Sequence, residues 1–266
     1  MIRRSFVLAL SAGLACSCVG TTGSELVAFP AYAAGPTDAS ADTTYRFTSG
    51  RGWDVELDRA VVHVGGVYLA RSLPVSGAQE TSCILPGQYV AEVSGGVDVD
   101  AISPRLQPLP VAGAGTATHA ASGEVWLTSG DPNAPDDATP IADVHGWVAK
   151  NGSLREFKGT VTIGQNRATV VRDPARPGAD PICKQRIVSP IPIDITPRNG
   201  GALVVRVDPK TWFANVDFSE LVPDADGVLV FPDANEGQAS LSLYQALHAT
   251  EGAYAFSWET HAPEVK

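Results

Sequence analysis

Three residue types that could do chemistry alternate along one short segment: Asp143, His145 and Trp147. Residues two apart share a face of a β-strand, so a carboxylate, an imidazole and an indole would lie side by side if this segment is a regular strand. Such a set could ligate a metal or form a platform on which a sugar stacks. We predict a ligand or metal contact here; the alternative is an ordinary polar outer face of a sheet.

Two neighbouring acidic turns suggest a second kind of site. Asp224 and Asp226 lie in the first turn, and Asp233 and Glu236 in the second. Clustered carboxylate oxygens on loops are the ligands that calcium uses outside cells. Because Asp and Gly also build plain turns, and the fuller calcium-loop spacing is missing, the sequence predicts no cofactor, with calcium as the alternative.

The recognisable catalytic motifs are missing from the sequence. It contains no G-x-S-x-G, H-E-x-x-H, S-x-x-K or phosphate-cradling glycine loop. None of the histidines forms a pair at i+2 or i+4, and His63, between Val62 and Val64, is expected to be a half-exposed strand residue. Hydrolases that use carboxylates from distant strands carry no local motif, so an unassigned hydrolase stays as a third interpretation.

The two cysteines in the body of the chain are Cys83 and Cys183. In an oxidising compartment two such cysteines usually pair, and both have apolar neighbours. A redox or metal role is disfavoured, because no C-x-x-C spacing exists and no histidine lies nearby. We predict a disulfide that closes a loop of about a hundred residues.

Residues 1–18 have the features of a bacterial export signal. Arg3 and Arg4 precede an apolar run too short to span a bilayer, and small residues precede Cys16 and Cys18. We expect one of these two cysteines to be lipidated, although the usual leucine three positions upstream is missing. The alternative is cleavage after Ala33 and a secreted soluble product. The paired arginines fit both general export and the twin-arginine route.

Composition limits the partners. The net charge is −10, and 44% of residues are hydrophobic. An acidic exported chain is not expected to bind nucleic acid or anionic lipid headgroups through its bulk charge. The expected membrane contact is the lipid anchor alone, and the sequence does not identify a protein or small-molecule partner.

The elements that position these residues are mostly strands. Short alternating or β-branched runs separated by turn signals predict an antiparallel β-sandwich or barrel-like domain over residues 45–260. Asn151-Gly152 predicts a tight hairpin with Asp143 to Trp147 on its first strand. Pro190 and Pro192 place their strand at an edge or a bulge. One short helix is predicted over Ala239–Thr250.

Three regions are therefore expected: the signal (1–18), a flexible Gly/Ser/Ala-rich linker (19–44) and the β domain. Residues 131–140 have loop composition and either divide the domain in two or form a long loop inside it. The predicted function is a membrane-anchored lipoprotein of the bacterial cell envelope that serves as a non-enzymatic binding or structural module. The alternative is a periplasmic or surface metal-binding protein for calcium or a transition metal.

Overall fold

The structure, a computed structural model, describes residues 25–39, 44–73, 88–132, 134, 137–164, 182–234 and 237–261. These residues form strands in two sheets and two short α-helices, α1 (Pro209–Trp212) and α2 (Gln238–Leu247). The strands are β1 (Leu26–Phe29), β2 (Ala31–Ala34), β3 (Tyr45–Thr48), β4 (Asp54–Ala70), β5 (Tyr89–Asp100), β6 (Gln107–Pro108), β7 (Gly113–Thr116), β8 (Ala120–Trp126), β9 (Pro140–Lys150), β10 (Ser153–Thr162), β11 (Ile187–Ile195), β12 (Ala202–Val207), β13 (Val222–Pro223), β14 (Leu229–Phe231) and β15 (Tyr254–Glu259).

The fold is mostly β, with one short helix near the C-terminus, as the sequence predicts. In the larger sheet β1, β7, β5, β4, β9, β10, β14 and β13 lie side by side, and β3, β8 and β11 branch from this path. The smaller sheet has the order β15-β12-β2-β6. Within the described residues neither sheet closes into a barrel, so the arrangement is sandwich-like.

The longest strand, β4, connects two parts of the larger sheet. Its first part, Asp54 to Val62, pairs with β9, whereas Gly66 to Ala70 pairs with β8. The change of partner falls at Gly65, where the backbone after β8 approaches so closely that an added Cβ would lie 2.0 Å from the Thr128 carbonyl oxygen. A glycine is therefore needed for β4 to exchange one neighbour for the other.

One large hydrophobic core extends across both sides of residues 131–140. It combines residues from β1 near the N-terminus with residues of β15 near the C-terminus. The buried guanidinium of Arg186 donates to the backbone carbonyls of Asp131, Pro132 and Ala134, which fastens this segment to the core. Asp131, Pro132 and Ala134 are thus attached to this core through Arg186.

The flexible linker predicted over residues 19–44 is wrong for its middle part. β1 pairs with β7, and β2 lies between β12 and β6 in the smaller sheet. Phe29 is 1% exposed and Ala33 is completely buried. The alanine-rich composition resembles a linker, but small side chains also let a strand pack closely in a core. Residues 19–24 and 40–43 lie outside the described part.

Three local predictions are confirmed. Asn151 and Gly152 have φ angles of 53° and 79° and join β9 to β10 as a tight hairpin. The strand that contains Pro190 and Pro192, β11, pairs with β8 through two register shifts. The predicted helix over Ala239–Thr250 is present as α2, which ends at Leu247, and the next residue, His248, caps it with Nδ1 2.6 Å from the carbonyl oxygen of Tyr244. Among the described residues, no helix is long and apolar enough to cross a membrane.

Candidate functional site

The three residues singled out on β9 share one face, as the alternation predicts. Asp143, His145 and Trp147 are each partly exposed, while Val144 and Val148 between and beyond them are buried. β9 lies between β4 and β10, so the face is bordered by polar residues of both neighbours. We call the outer surface formed by Asp143, His145 and Trp147, with Asp58 and Arg59 of β4 and Glu156 of β10, the β9 face.

His145 is held between two carboxylates. Its Nδ1 lies 2.6 Å from Asp58 Oδ1 on β4, and its Nε2 lies 2.9 Å from Glu156 Oε1 on β10. A bulge in β4 places two consecutive residues, Asp58 and Arg59, on the outer face, which allows Asp58 to reach the imidazole. Because a carboxylate only accepts hydrogen bonds, this arrangement favours the doubly protonated, cationic ring.

The environment shifts the titration of His145 accordingly. Partial burial lowers its pKa, but the hydrogen bonds and negative charges of Asp58 and Glu156 outweigh that effect, so the pKa lies above its ordinary value. Trp147 approaches the same ring edge-on, with the ring centres 5.3 Å apart. Asp143 is also paired, since it accepts a hydrogen bond from Arg59 Nε at 2.6 Å.

Both ring nitrogens of His145 face carboxylates across a hydrogen bond. Among the described residues, no group of three or more His, Cys, Asp or Glu side chains is placed to hold a metal ion. The β9 face is an ion-paired surface with an indole beside it.

A shallow groove continues the β9 face on the side of Trp147. Its volume is about 370 Å³, and its apolar wall includes Phe47, Trp147 and Leu154. Leu154 is 68% exposed although it is a large hydrophobic residue. Arg46 and Glu56, whose side chains form an ion pair at 2.8 Å, add polar groups to the same groove. The groove thus combines an apolar surface with hydrogen-bonding groups.

In the acidic turns, Asp224 and Asp233 use their carboxylates for structural hydrogen bonds. Asp224 accepts hydrogen bonds from the backbone N–H groups of Asp226 and Val228 and pairs with Lys158 Nζ at 2.7 Å, which lowers the pKa of Asp224. Asp233 accepts from the backbone N–H and the hydroxyl of Thr162. Glu236, the fourth predicted calcium ligand, lies outside the described residues.

A constellation that the sequence did not reveal lies where β4 changes partner. His63 Nδ1 is 2.7 Å from Asp98 Oδ1, and His63 Nε2 is 2.9 Å from Ser129 Oγ. His63 and Asp98 are directly opposite each other on β4 and β5, and Ser129 follows β8. Finding this set requires both the strand register and the path of the loop after β8. No local motif carries that information.

A buried carboxylate lies elsewhere on the larger sheet. Glu124 on β8 is 2% exposed and accepts hydrogen bonds from the Tyr89 hydroxyl, the Trp126 indole and the Ser189 hydroxyl. Burial raises its pKa above the ordinary value, and the hydrogen bonds act in the opposite direction.

Of the cysteines predicted to be lipidated or to form a disulfide, the structure describes Cys183 alone. Cys16, Cys18 and Cys83 lie outside the described residues. Cys183 is completely buried in the short 3-10 helix Ile182–Arg186, next to β11. Its pairing with Cys83 stays a prediction.

Comparisons of the chain with protein-family models, with curated proteins and with solved structures each give no match. Over the part of the chain that the structure describes, the fold defines the class as a mostly β protein with two sheets and one large hydrophobic core beside a small buried cluster.

Proposed function

We propose that this chain is an exported bacterial envelope protein, anchored through a lipid on Cys16 or Cys18, whose β body binds a ligand at the β9 face. The observation that carries the proposal is the position of β1 and β2 within the folded body. The two parts of the proposal, anchor and ligand, rest on different residues and are tested separately.

The anchor is supported by the residues that the alternative cleavage would remove. A cut after Ala33 would remove β1 and most of β2, including the buried Phe29, and would leave β12 and β6 without the strand between them. A cut before Cys16 or Cys18 preserves both strands. The tether between the lipid and β1 is then the short stretch that precedes Leu26.

The ligand-binding role is supported by the groove beside Trp147. A partly exposed indole next to an apolar wall is a surface on which the face of a sugar ring stacks, and charged groups at its border can hold ring hydroxyls. Arg46, Asp54 and Glu56 lie around the groove in the position to do so. We therefore propose a polyhydroxylated ligand, such as a cell-wall glycan.

The anchor is tested with Cys16→Ser, Cys18→Ser and the double variant in a bacterial host. Metabolic labelling with an alkyne fatty acid should label the wild type and not the double variant, which should leave the membrane fraction or stay unprocessed. The first residue of the mature chain, read by mass spectrometry, should be Cys16 or Cys18. A mature chain beginning at Ala34 contradicts the anchor.

The ligand is tested with soluble peptidoglycan fragments and polysaccharides on an array. Trp147→Ala should reduce binding at least about tenfold, as expected when a stacking aromatic is lost. Val222→Ala, which removes an exposed apolar side chain elsewhere, is the matched control and should bind like the wild type. Equal binding by all three proteins, or no glycan bound by the wild type, contradicts the proposal.

A further inference from the structure

The network of Ser129, His63 and Asp98 has the order of contacts that activates a serine. In this order a carboxylate orients the imidazole through Nδ1, and the imidazole accepts the serine proton at Nε2. The distances of 2.7 Å and 2.9 Å are both within hydrogen-bond range. Because Asp98 only accepts, the neutral ring carries its proton on Nδ1 and presents a lone pair from Nε2 to Ser129.

His63, Asp98 and Ser129 come from three different parts of the fold. His63 lies in the middle of β4, and its side chain is 12% exposed, so the ring has little freedom to turn away. Asp98 holds it from β5, and its own side chain is 72% exposed. Ser129 follows β8 in a segment held by Thr128, whose hydroxyl donates to Asp137 and accepts from the Gly130 N–H.

Gly96 allows the backbone of β5 to lie close to the hydroxyl of Ser129. β5 has a bulge at Gly95 and Gly96 opposite Gly65, and an added Cβ at Gly96 would lie 2.1 Å from Ser129 Oγ and 3.0 Å from His63 Nε2. Gly130 follows the serine and is exposed, as is Ser129 itself. A substrate carbonyl therefore has access to Ser129 Oγ from the solvent side. Bulges often re-aim side chains next to active sites.

We propose that Ser129, His63 and Asp98 form a hydrolytic site that cleaves carboxylic esters. Ser129 Oγ attacks the ester carbonyl carbon while its proton passes to His63 Nε2, and Asp98 stabilises the resulting imidazolium. The C–O bond to the alcohol then breaks, and the alcohol leaves with the proton from His63. Water, deprotonated by His63, hydrolyses the acyl-serine to release the carboxylic acid and restore Ser129.

The open position of the site and its charge limit the substrate class. The serine is exposed, so the substrate is an ester that presents its carbonyl at the protein surface. The carboxylate of Asp98 beside the imidazole disfavours an anionic acyl group. We therefore assign neutral or cationic esters to this site.

The test uses a fluorophosphonate probe and p-nitrophenyl acetate on the folded protein. The wild type should become labelled at Ser129, identified by peptide mass spectrometry. Ser129→Ala should abolish the label, and Ser129→Ala and His63→Gln should each lower ester hydrolysis at least about 100-fold, the usual range for loss of the nucleophile or its base. Asp98→Asn should lower it about tenfold or more through the orientation of His63.

Ser153→Ala is the matched control, since it removes an exposed serine hydroxyl on β10 and should retain full label and rate. Thermal unfolding verifies that each variant is folded. Labelling at another serine, no labelling of the wild type, or full hydrolysis by folded Ser129→Ala overturns the proposal. Gly96→Ala is a second test of the geometry. The added methyl group should displace Ser129 and so reduce labelling, although the side chains of Ser129 and His63 are both still present.

Discussion

At the scale of single residues, carboxylates determine the chemistry of the surface. His145 and His63 each contact acidic partners from neighbouring strands, but with different outcomes. His145 has a carboxylate at both ring nitrogens, which favours its cationic form, whereas His63 has a carboxylate at one ring nitrogen and a hydroxyl at the other. The first arrangement favours a fixed ion-paired surface, and the second favours proton transfer.

The His145 contacts predict a pH-dependent contribution to stability. Since the folded pKa lies above the unfolded one, the contribution is fully present below about pH 6.5 and is lost as pH rises through the folded pKa. His145→Gln should therefore destabilise the protein near pH 6 by roughly 1 kcal/mol or less, with the difference shrinking towards pH 9. Urea unfolding across this range measures it. A difference that grows at alkaline pH contradicts the arrangement.

Glu124 gives a prediction of its own because its pKa is raised by burial. Its neutral form is the better buried one, so stability is fully present below about pH 4.5 and declines as pH rises through the folded pKa. Glu124→Gln, which stays neutral, should be at least as stable as the wild type at pH 7, and this advantage should vanish near pH 4. Glu124→Ala is the control and should cost about 1 to 3 kcal/mol, because donors lose their acceptor. Greater stability of the wild type than of the Gln variant at pH 7 would refute this account.

The site residues differ in how far sequence could predict them. Alternation is a local rule, so the shared face of Asp143, His145 and Trp147 follows from the sequence alone. The partners Asp58 and Glu156 do not, because they depend on a bulge in β4 and on the register of β10. Ser129 is harder still, since its position depends on the loop that leaves β8.

At the scale of elements, β4 organises the larger sheet through its change of partner at Gly65. Gly65→Ala should cost about 2 to 3 kcal/mol, because the new methyl group would overlap the Thr128 backbone, which has little room to move. Gly66→Ala is the matched control: its nearest neighbour is the Tyr68 ring at 3.3 Å, and a smaller cost is expected. Chemical denaturation of both variants measures the difference. Equal losses of stability in the two variants would mean that the close approach at Gly65 does not determine where β4 changes partner.

Strands marked by turn residues or β-branched runs can be predicted from the sequence, whereas strands made of small residues cannot. The hairpin of β9 and β10 follows from Asn151-Gly152, and β12 follows from its run of valines. β2 consists of three alanines and a tyrosine, a composition also found in linkers, and its pairing with β12 and β6 makes it a strand. The physical reason is that strand formation in such a segment is determined by tertiary packing more than by local preference.

At the scale of the whole molecule, the predicted disulfide would connect distant parts of the chain. Cys83 and Cys183 should resist alkylation in the folded exported protein until a reductant is added. Reduction should lower the free energy of unfolding by up to about 4 to 5 kcal/mol, because the closed loop is long. A Cys83→Ala/Cys183→Ala protein should match the reduced wild type. Rapid alkylation of either residue without reductant rules the bond out.

The smaller sheet has a consequence for the timing of biogenesis. β2 lies near the N-terminal end of the described residues, whereas its parallel partner β12 and the outer strand β15 come from the last quarter of the chain. Contacts so distant in sequence form slowly. A chain threaded across the membrane from its N-terminus would therefore expose the backbone edge of β2 until nearly all of it had crossed. During that interval β2 would be open to aggregation or proteolysis, and, if the chain is exported as proposed, a periplasmic chaperone would have its clearest target there.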